Sequence, residues 1–399
     1  MNVSRNERLD PAGRTIVLLG ALVAFGPLSI DTYLPSLPAI ALALHATEAA
    51  VQLTISAFLV GFCSGMLVYG PLSDRYGRRP VLLGGIALYV LATLACALAD
   101  DVGHLVALRA LQAFGGGAAA VLARAIVRDI FPPLRVAPVL SLMQLVTMVA
   151  PLLAPILGGY LMLAAGWRAI FFALAAFGAW CFVAVWLRVP ETHLPHARTG
   201  GGLGHAFRGY AAALRDPATL GYLLSSGACF VGLFAYITAS PFVYIHHFGV
   251  PPQYYGYLFG LNVVGIIIGS SINARVVGRL GPDRMLRIGT SIAALAGIVL
   301  SALAISGRGG LMGVVLPLVF YVGVIGLVAA NAVARLFALH PERAGAISAL
   351  AGAIQFGCGT LGSLVVGHFP DGGPLAMCAT IGVGGVGARL ALVMALRAR

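Results

Sequence analysis

The chain has 399 residues, of which 60% are hydrophobic and only 10% are charged, a composition far from that of a soluble globular protein. All 25 basic residues are arginine, which excludes a lysine-dependent phosphate-binding loop and a lysine that forms a Schiff base. The net charge is +12, and the charged residues lie between apolar runs rather than on one face of a polar domain. These features exclude a nucleic-acid-binding protein and predict an all-α polytopic membrane protein.

Twelve apolar runs, each bounded by charged residues, prolines or glycines, predict twelve membrane-spanning helices. Each has about 20 residues or more, enough at 1.5 Å per residue to cross about 30 Å of hydrocarbon. The predicted spans are 14–36, 48–69, 80–99, 103–127, 136–164, 168–188, 218–245, 252–274, 284–305, 310–334, 344–367 and 374–396. Residues 1–188 would then form an N-terminal six-helix bundle, 189–217 a cytoplasmic linker, and 218–399 a C-terminal six-helix bundle.

The first apolar run follows Arg5, Arg8 and Arg14, so a cleavable signal peptide is an alternative interpretation. The run is longer than the hydrophobic region of such a peptide, and it contains Asp31. Its removal would also leave an odd number of spans. We therefore expect it to be a retained span.

Residues 70–79, with the sequence GPLSDRYGRR, lie between spans two and three and predict a short loop. Gly77 permits a tight turn, and Pro80 suits the start of the next helix. Arginines near the ends of spans favour the anionic cytoplasmic face of a membrane. The loop is therefore predicted to be cytoplasmic.

The other arginines indicate the same topology. On the predicted map, 20 of the 25 fall in cytoplasmic segments, Arg168 and Arg308 fall in external loops, and Arg109, Arg124 and Arg389 fall within spans. This bias predicts that both termini lie in the cytoplasm.

The two bundles share a repeat with a shift of 204 residues. Gly61 and Gly65 of span two correspond to Gly265 and Gly269 of span eight, although few identities support the match and chance is the alternative. The predicted starts of spans one and seven, at residues 14 and 218, give the same shift. Because six spans preserve orientation, the repeats are parallel, and such glycine pairs let helices approach closely.

Twelve spans, a parallel repeat and the GPLSDRYGRR segment together resemble the major facilitator superfamily. Three segments are similar to its drug:proton antiporter branch: SIDTYLPSLP at 29–38, RALQ and RAIVRD at 109–112 and 124–129, and APILGG at 154–159, which resembles GPxxGG. The first, with SPFVY at 240–244, most resembles the Bcr/CflA drug-resistance subfamily. The chain departs from these patterns at Ala154, where the motif has glycine, and at Gly278, where the first-half repeat has Asp74.

Asp31 is the acidic residue that lies well inside a predicted span, and an ionisable group at membrane depth is a functional hypothesis by default. Helix rise places Asp31 roughly 8 Å from the external end of span one and Arg109 roughly 9 Å into span four, so their depths match. The resemblance implies that both spans line a central cavity. We therefore predict that Asp31 and Arg109 couple transport to protons, the alternatives being an interfacial carboxylate and an arginine that extends to the membrane surface.

The resemblance also implies a cytoplasmic charge network that stabilises one gating state, a role that it assigns to Asp74, Arg75 and Arg78. Asp129 ends span four at the level of the loop and would join them, while Gly77 provides the turn. The alternative is that these residues signal topology and form a turn.

Span five contains Pro155, Gly158 and Gly159. These residues would bend the helix and allow close approach to a neighbour, which suits a gating helix.

Polar and aromatic residues inside spans are candidates to line a substrate cavity. The alternatives are interhelical hydrogen bonds for the amides, an interfacial belt for the aromatic rings, and extension to the surface for the arginine. The candidates are Tyr33, Gln112, Arg124, Gln144, Tyr236, Asn262, Asn331 and Gln355.

A transporter rather than an enzyme is expected, because paired intramembrane acids and metal-ligand clusters are absent from the sequence, and the twelve-span repeat disfavours a receptor. The resemblance implies a proton-coupled antiporter that exports phenicol or bicyclomycin-like antimicrobials across a bacterial cytoplasmic membrane. The alternative is an exporter of a sugar, amino acid or other metabolite with the same fold. Its expected partners are a drug, protons and the lipid bilayer; we expect a monomer with no nucleic acid, metal or cofactor, driven by the proton gradient.

Overall fold

Helices account for nearly all of the structure, a computed structural model that describes residues 11–193, 202–341, 344–369 and 373–398. No strand occurs in these residues, eleven helices are long and apolar enough to cross a membrane, and a bent helix pair completes a twelfth span. The prediction of an all-α polytopic membrane protein is confirmed. Of the residues named above, Arg5 and Arg8 lie outside the described ranges.

The first half and the segment that follows it contain nine helices within the described residues. They are α1 (Pro11–Val23), α2 (Phe25–Asp31), α3 (Leu37–Ala43), α4 (Glu48–Tyr76), α5 (Arg78–Ala97), α6 (Val102–Ile130), α7 (Pro133–Ala165), α8 (Trp167–Arg188) and α9 (Gly202–Leu214). The second half continues with α10 (Pro217–Pro241), α11 (Pro252–Leu280), α12 (Pro282–Ser306), α13 (Gly310–Gly323), α14 (Ile325–Leu339), α15 (Ala344–Gly367) and α16 (Pro374–Arg397).

Span one is broken rather than continuous, and it extends beyond the predicted end at residue 36. Its helical segments on either side of Ala24 meet at 45°, and a 3₁₀ turn at Leu34–Ser36 separates α2 from α3. Pro35 lies in this turn and lacks the N–H group that a continuous helix would use. Asp31 is the last residue of α2, so it lies where the chain leaves the helix.

The predicted loop at residues 70–79 is a single-residue break. Helix α4 continues to Tyr76, and α5 begins at Arg78, two residues before the predicted start at Pro80. Gly77 alone separates them and has φ 101° and ψ 153°, a conformation that is open almost exclusively to glycine. Gly281 makes the same kind of break between α11 and α12, with φ 76° and ψ 158°.

Glycines bring the second span of each half against the fourth. A Cβ atom on Gly61 of α4 would lie 2.1 Å from the carbonyl oxygen of Ala110 in α6. A Cβ atom on Gly269 of α11 would lie at the same distance from the carbonyl oxygen of Gly323 in α13. Both helix pairs therefore pack backbone against backbone, as small residues allow.

The two halves contact each other along α4 with α15 and along α7 with α11. The end of the bundle that carries Asp31 is called the Asp31 end. There a Cβ atom on Gly256 would lie 2.7 Å from the backbone nitrogen of Ile156, and the hydroxyls of Ser56 and Ser363 are 2.8 Å apart. The halves are therefore closed against each other at the Asp31 end.

Two further contacts join the halves at this end. The 3₁₀ turn of span one packs against α10 and α11. His246, in a π-helical turn at Phe242–His247 after α10, lies 2.7 Å from a carboxylate oxygen of Glu48 at the start of α4. Spans one and two of the first half thus meet spans seven and eight of the second half at the Asp31 end.

The opposite end, which carries the break at Gly77, is called the arginine-rich end, and there the halves are less closed. Gln144 lies eleven residues before Pro155, three turns along the same face of α7. This face is buried at Pro155 and exposed at Gln144. Leu145 of α7 and Ile268 of α11 are each 55% exposed at this level, whereas the close contacts of α7 with α11 lie nearer the Asp31 end. The region between the halves toward the arginine-rich end is called the cleft.

The segment predicted as a linker, 189–217, contains helix α9, which the sequence reading did not predict. Residues 194–201 of that segment lie outside the described ranges. Helix α9 packs against α4 of the first half and against α10 and α15 of the second. Burial raises the pKa of its Tyr210 hydroxyl above the ordinary value, and the nearby Asp74 charge adds to this effect.

Candidate proton and substrate site

Arg109 lies in α6 with its side chain fully buried. Its Nη1 donates to Oε1 of Gln112 at 2.6 Å, and its Nη2 donates to the carbonyl oxygen of Ser29 at 3.1 Å. The guanidinium carbon lies 4.5 Å from the centre of the Tyr33 ring and 4.4 Å from that of Phe58. Its positive charge is therefore held by carbonyl oxygens and aromatic faces, which attract cations.

Asp31 is also buried, with 4% of its surface exposed. Its carboxylate makes no hydrogen bond or ion pair with any residue that the structure describes. It lies near the hydroxyls of Tyr236 in α10 and Tyr255 in α11, both of which belong to the second half. The carboxylate thus lies between the two halves, at the closed Asp31 end.

The structure brings Asp31 and Arg109 to the same depth without pairing them. Arg109 binds the backbone of Ser29, two residues before Asp31 in α2. Depth along a helix axis is fixed by residue number, whereas the direction of a side chain depends on rotation about that axis. The pair that depth made possible is therefore absent from this conformation, in the part of the chain that the structure describes.

Five of the eight substrate-cavity candidates are buried and already have protein partners. The Tyr33 and Thr54 hydroxyls are 3.0 Å apart, and Gln112 Nε2 donates to Thr93 Oγ1 at 2.9 Å. The remaining three candidates take part in two bonds, that of Asn262 Nδ2 to the Tyr236 hydroxyl at 3.0 Å and that of Asn331 Nδ2 to Asn273 Oδ1 at 2.7 Å. In this conformation these side chains hold spans together rather than face an open cavity, which was the alternative for the amides.

Three candidates remain accessible. Gln144 is exposed on α7, and Arg124 and Gln355 are half-buried. Gln355 Nε2 donates to Ser226 Oγ at 2.8 Å. Arg124 makes no hydrogen bond or ion pair with the described residues. The accessible polar surface of the cleft thus lies toward the arginine-rich end.

The predicted charge network at the arginine-rich end forms around Arg78. Its Nη1 lies 2.5 Å from Asp74 Oδ1, and its Nε lies 3.3 Å from Asp129 Oδ2. Arg75 was expected in this network, but its side chain is exposed and its guanidinium carbon lies 5.3 Å from the centre of the Tyr76 ring. Since Arg75 and Arg78 follow each other by less than one turn of helix on opposite sides of the Gly77 break, they point in different directions. All members of the network belong to the first half.

Glu191, which was not predicted as a site residue, supports this network from the segment that follows the first half. Its two carboxylate oxygens accept from the backbone nitrogens of Arg78 at 2.9 Å and Arg79 at 3.3 Å. A carboxylate here satisfies free N–H groups in the first turn of α5 and complements the helix dipole. A contact across 113 residues has no signature in the local sequence.

The second half has an ion pair of reversed polarity at the equivalent position. Asp283, at the start of α12, lies 3.1 Å from Nε of Arg335 in α14. In the first half the start of α5 carries the arginine and α6 carries the acid. The second half thus keeps an ion pair although its loop lacks an acid at Gly278.

The glycines of span five make close backbone contacts at the Asp31 end. A Cβ atom on Gly158 would lie 2.0 Å from the carbonyl oxygen of Thr32, just after Asp31. A Cβ atom on Gly159 would lie 3.1 Å from the carbonyl oxygen of Pro252 in the second half. Together with the buried Pro155, these residues let α7 fit between span one and α11, the position that a gating helix requires.

Comparison with known proteins identifies similar chains over most of the length. A family model described as Major Facilitator Superfamily matches residues 17–363. The bicyclomycin resistance protein homolog of Haemophilus influenzae is 36% identical over 351 residues, 88% of each chain. Multidrug resistance protein MdtL of Escherichia fergusonii is 41% identical over 165 residues, 41% of this chain and 42% of that protein. Among solved structures, the xylose transporter XylE from E. coli, in a partially occluded inward-open conformation, aligns over 96% of each chain with a TM-score of 0.73 and 16% identity, which shows a shared fold.

Proposed function

Because the chain belongs to the major facilitator superfamily, in the Bcr/CflA branch of drug efflux transporters, we propose that it is a proton-coupled drug antiporter. It exports small organic antimicrobials, of the phenicol or bicyclomycin type, across the bacterial cytoplasmic membrane. The two halves rock about a central cleft, so that the cleft opens to each side in turn.

The arginine-rich end is the cytoplasmic end. Arg75, Arg78, Arg79, Arg128 and Arg135 all lie there, and basic residues near span ends are concentrated on the cytoplasmic side of membrane proteins. The cleft then opens toward the cytoplasm, and the closed Asp31 end faces outward. In this state the transporter would accept a drug from inside the cell.

The observation that carries the proposal is the carboxyl of Asp31, which lies between the two halves without a partner among the described residues. Enclosing a carboxylate without a cation costs several kcal/mol, roughly, so closure around Asp31 favours the form that holds a proton. Opening of the Asp31 end would let that proton equilibrate with the outside. Each proton that moves inward is driven by about 2.3 kcal/mol per 100 mV of membrane potential, in addition to the pH gradient.

Arg109 positions the segment that carries Asp31. Its bond to the Ser29 carbonyl ties α6 to the last turn of α2, and a second bond joins it to Gln112. Loss or rotation of the Ser29 contact would bring a cation toward the carboxylate, because Asp31 lies only two residues further on. Arg109 can thus stabilise a deprotonated Asp31 in another conformation of the cycle.

The test uses the full-length protein in liposomes, with chloramphenicol as substrate and an imposed pH gradient. Asp31→Asn should lose at least 90% of gradient-driven export, and Arg109→Ala should lose a similar share, while both still bind chloramphenicol. Asp101→Asn is the matched control, since it removes an exposed carboxylate at the same end and asparagine still caps α6. Full gradient-driven export by Asp31→Asn would disprove the proton-site assignment.

The charge of the cleft sets the expected substrate class. The spans that would line the cavity contain two arginines, Arg109 and Arg124, and one acid, Asp31, so the site is neutral to positive. Chloramphenicol export should therefore be inhibited more strongly by neutral phenicols than by ethidium or a dication. The reverse order in a competition assay would contradict this part of the proposal.

A further inference from the structure

Arg124 is a half-buried cation that has no partner among the described residues. It lies in α6 two turns from the arginine-rich end, and its neighbour one turn on is another cation, Arg128. Among the residues that the structure describes, no carboxylate or carbonyl oxygen accepts from its guanidinium. A charge in such a position is costly unless an anion or strong acceptor reaches it.

The acids of the arginine-rich end are engaged elsewhere. Asp74 and Asp129 both bind Arg78, and Glu191 binds the first backbone N–H groups of α5. In the second half, Asp283 binds Arg335, and Asp216 accepts from the backbone nitrogen of Thr219. No described acid at this end is therefore left over for Arg124.

The face of α6 that carries Arg124 is turned toward α4, one of the two helices of the first half that contact the second half. Gly117 lies seven residues earlier, two turns along the same face, and a Cβ atom there would lie 3.1 Å from Gly65 of α4. One turn earlier along α4, the ring of Phe62 packs on Phe356 of the second half, with ring centres 4.9 Å apart. At the level of Arg124 this face is only half-buried, and Gln144 of α7 is exposed. Arg124 therefore lies on the α4 side of α6, near the helix that contacts the second half, and it is not fully covered there.

We propose that Arg124 binds the carboxylate of organic-acid substrates that enter the cleft from the arginine-rich end. The planar guanidinium can donate two parallel N–H···O bonds to one carboxylate, which gives it both charge and geometry for this group. The inference rests on the proposed function in treating the bound acid as a transport substrate. It extends the expected substrates from neutral drugs to monoanions. Asp31 and Arg109, at the other end, would act on the proton and not on this group.

The experiment compares two probes that differ in one group, radiolabelled 1-naphthoate and 1-naphthamide, by equilibrium dialysis against the purified full-length protein in detergent. The wild type should bind the acid at least tenfold more tightly than the amide, the difference expected for a buried charge-assisted pair. Arg124→Gln should lose this preference through weaker binding of the acid, with binding of the amide unchanged. Arg128→Gln is the matched control, since Arg128 is an exposed arginine one turn away, and it should keep the preference.

Two further variants make the test independent of how well Arg124→Gln folds. Arg124→Lys should retain part of the preference, because an ammonium is a point charge without the fork of the guanidinium. Arg124→Glu should disfavour the acid and prefer 1-naphthylmethylammonium. An unchanged preference for naphthoate in any monodisperse Arg124 variant without the guanidinium, or no preference in the wild type, would overturn the proposal.

Export is measured separately, so that the two proposals can fail independently. If naphthoate binding depends on Arg124 but the wild type shows no gradient-driven chloramphenicol export, the carboxylate site is supported and the proposed antiport is contradicted. Chloramphenicol export that is retained in Arg124→Gln, together with an unchanged naphthoate preference, would keep the antiport and remove the site.

Discussion

Arg109 donates from Nη2 to the carbonyl oxygen of Ser29 at 3.1 Å, and this bond joins the fourth span to the last turn before the break in span one. The cation is fully buried, and its Nε has no acceptor among the described residues. A buried charge with an incomplete set of partners does little to stabilise a fold. Its burial is better explained by a role in the transport cycle than by a contribution to folding stability.

We therefore predict that Arg109→Met separates function from stability. Methionine fills much of the same volume and removes the desolvation cost of the charge, so the melting temperature in detergent should stay within about 4 °C of the wild type or rise. Gradient-driven export should fall at least tenfold, because Asp31 loses the neighbouring cation. A melting temperature more than 10 °C lower would show instead that Arg109 is chiefly structural.

The closure at the Asp31 end gives a second prediction. Gly256→Ala would place a Cβ atom 2.7 Å from the backbone of Ile156 across the interface of the halves, a clash that costs about 1–3 kcal/mol. The variant should favour the form that is open at the Asp31 end. With the native cysteines replaced and Ser36→Cys introduced into the buried 3₁₀ turn, labelling by a membrane-impermeant maleimide should accelerate about tenfold.

Gly278→Ala, on the same helix α11, is the control for this experiment. A Cβ atom there meets no atom within 4 Å, so labelling should match that of the parent. Equal labelling rates for both alanine variants would show that the contact at Gly256 does not hold the Asp31 end closed.

The spans were predictable from sequence because long apolar runs between arginines have few interpretations, and all twelve predicted spans correspond to helices or to the bent pair. The break in span one was harder to predict from the sequence. Pro35 marks it, yet helices in membranes tolerate proline, and α4 passes through Pro71 without ending. The same ambiguity made residues 70–79 look like a loop, when most of them continue α4.

Site residues were predictable by depth and not by direction. The count of residues along each span placed Arg109 level with Asp31, but the partners of Arg109 depend on the rotation of α6 and on Gln112 at the next turn. Whether an amide lines a cavity or joins two spans depends on what lies opposite, as Asn331 with Asn273 illustrates. Such partners lie far away in the chain, and a single sequence contains no direct signal for them.

The break at Gly77 gives a third prediction, for stability. Gly77→Ala must place a Cβ atom on a residue with φ 101° and ψ 153°, at a cost of about 1–3 kcal/mol. Gly84→Ala, in the interior of α5 with no non-neighbouring atom within 4 Å of the new Cβ, should instead stabilise the protein by about 0.5–1 kcal/mol. Thermal unfolding in detergent should rank Gly84→Ala above the wild type and Gly77→Ala below it, and equal effects of the two would refute the strain at Gly77.

Asp216 gives a prediction for pH, because it caps α10 outside the membrane-spanning part of that helix. Its carboxylate accepts from the backbone nitrogen of Thr219 at 2.9 Å, and the Thr219 hydroxyl bond lowers the pKa of Asp216 below its ordinary value. A lowered pKa in the folded state adds stability above the unfolded value of about 3.9, and that stability is lost as the pH falls through the folded pKa. Asp216→Asn keeps an oxygen that can cap the helix but loses the charge. The wild type should therefore have a higher melting temperature than Asp216→Asn at pH 7, and this difference should shrink toward pH 3. Asp216→Ala should be about 1 kcal/mol less stable than Asp216→Asn at both pH values, because alanine cannot cap the helix. A constant difference between wild type and Asp216→Asn across this range would contradict the role of the carboxylate charge.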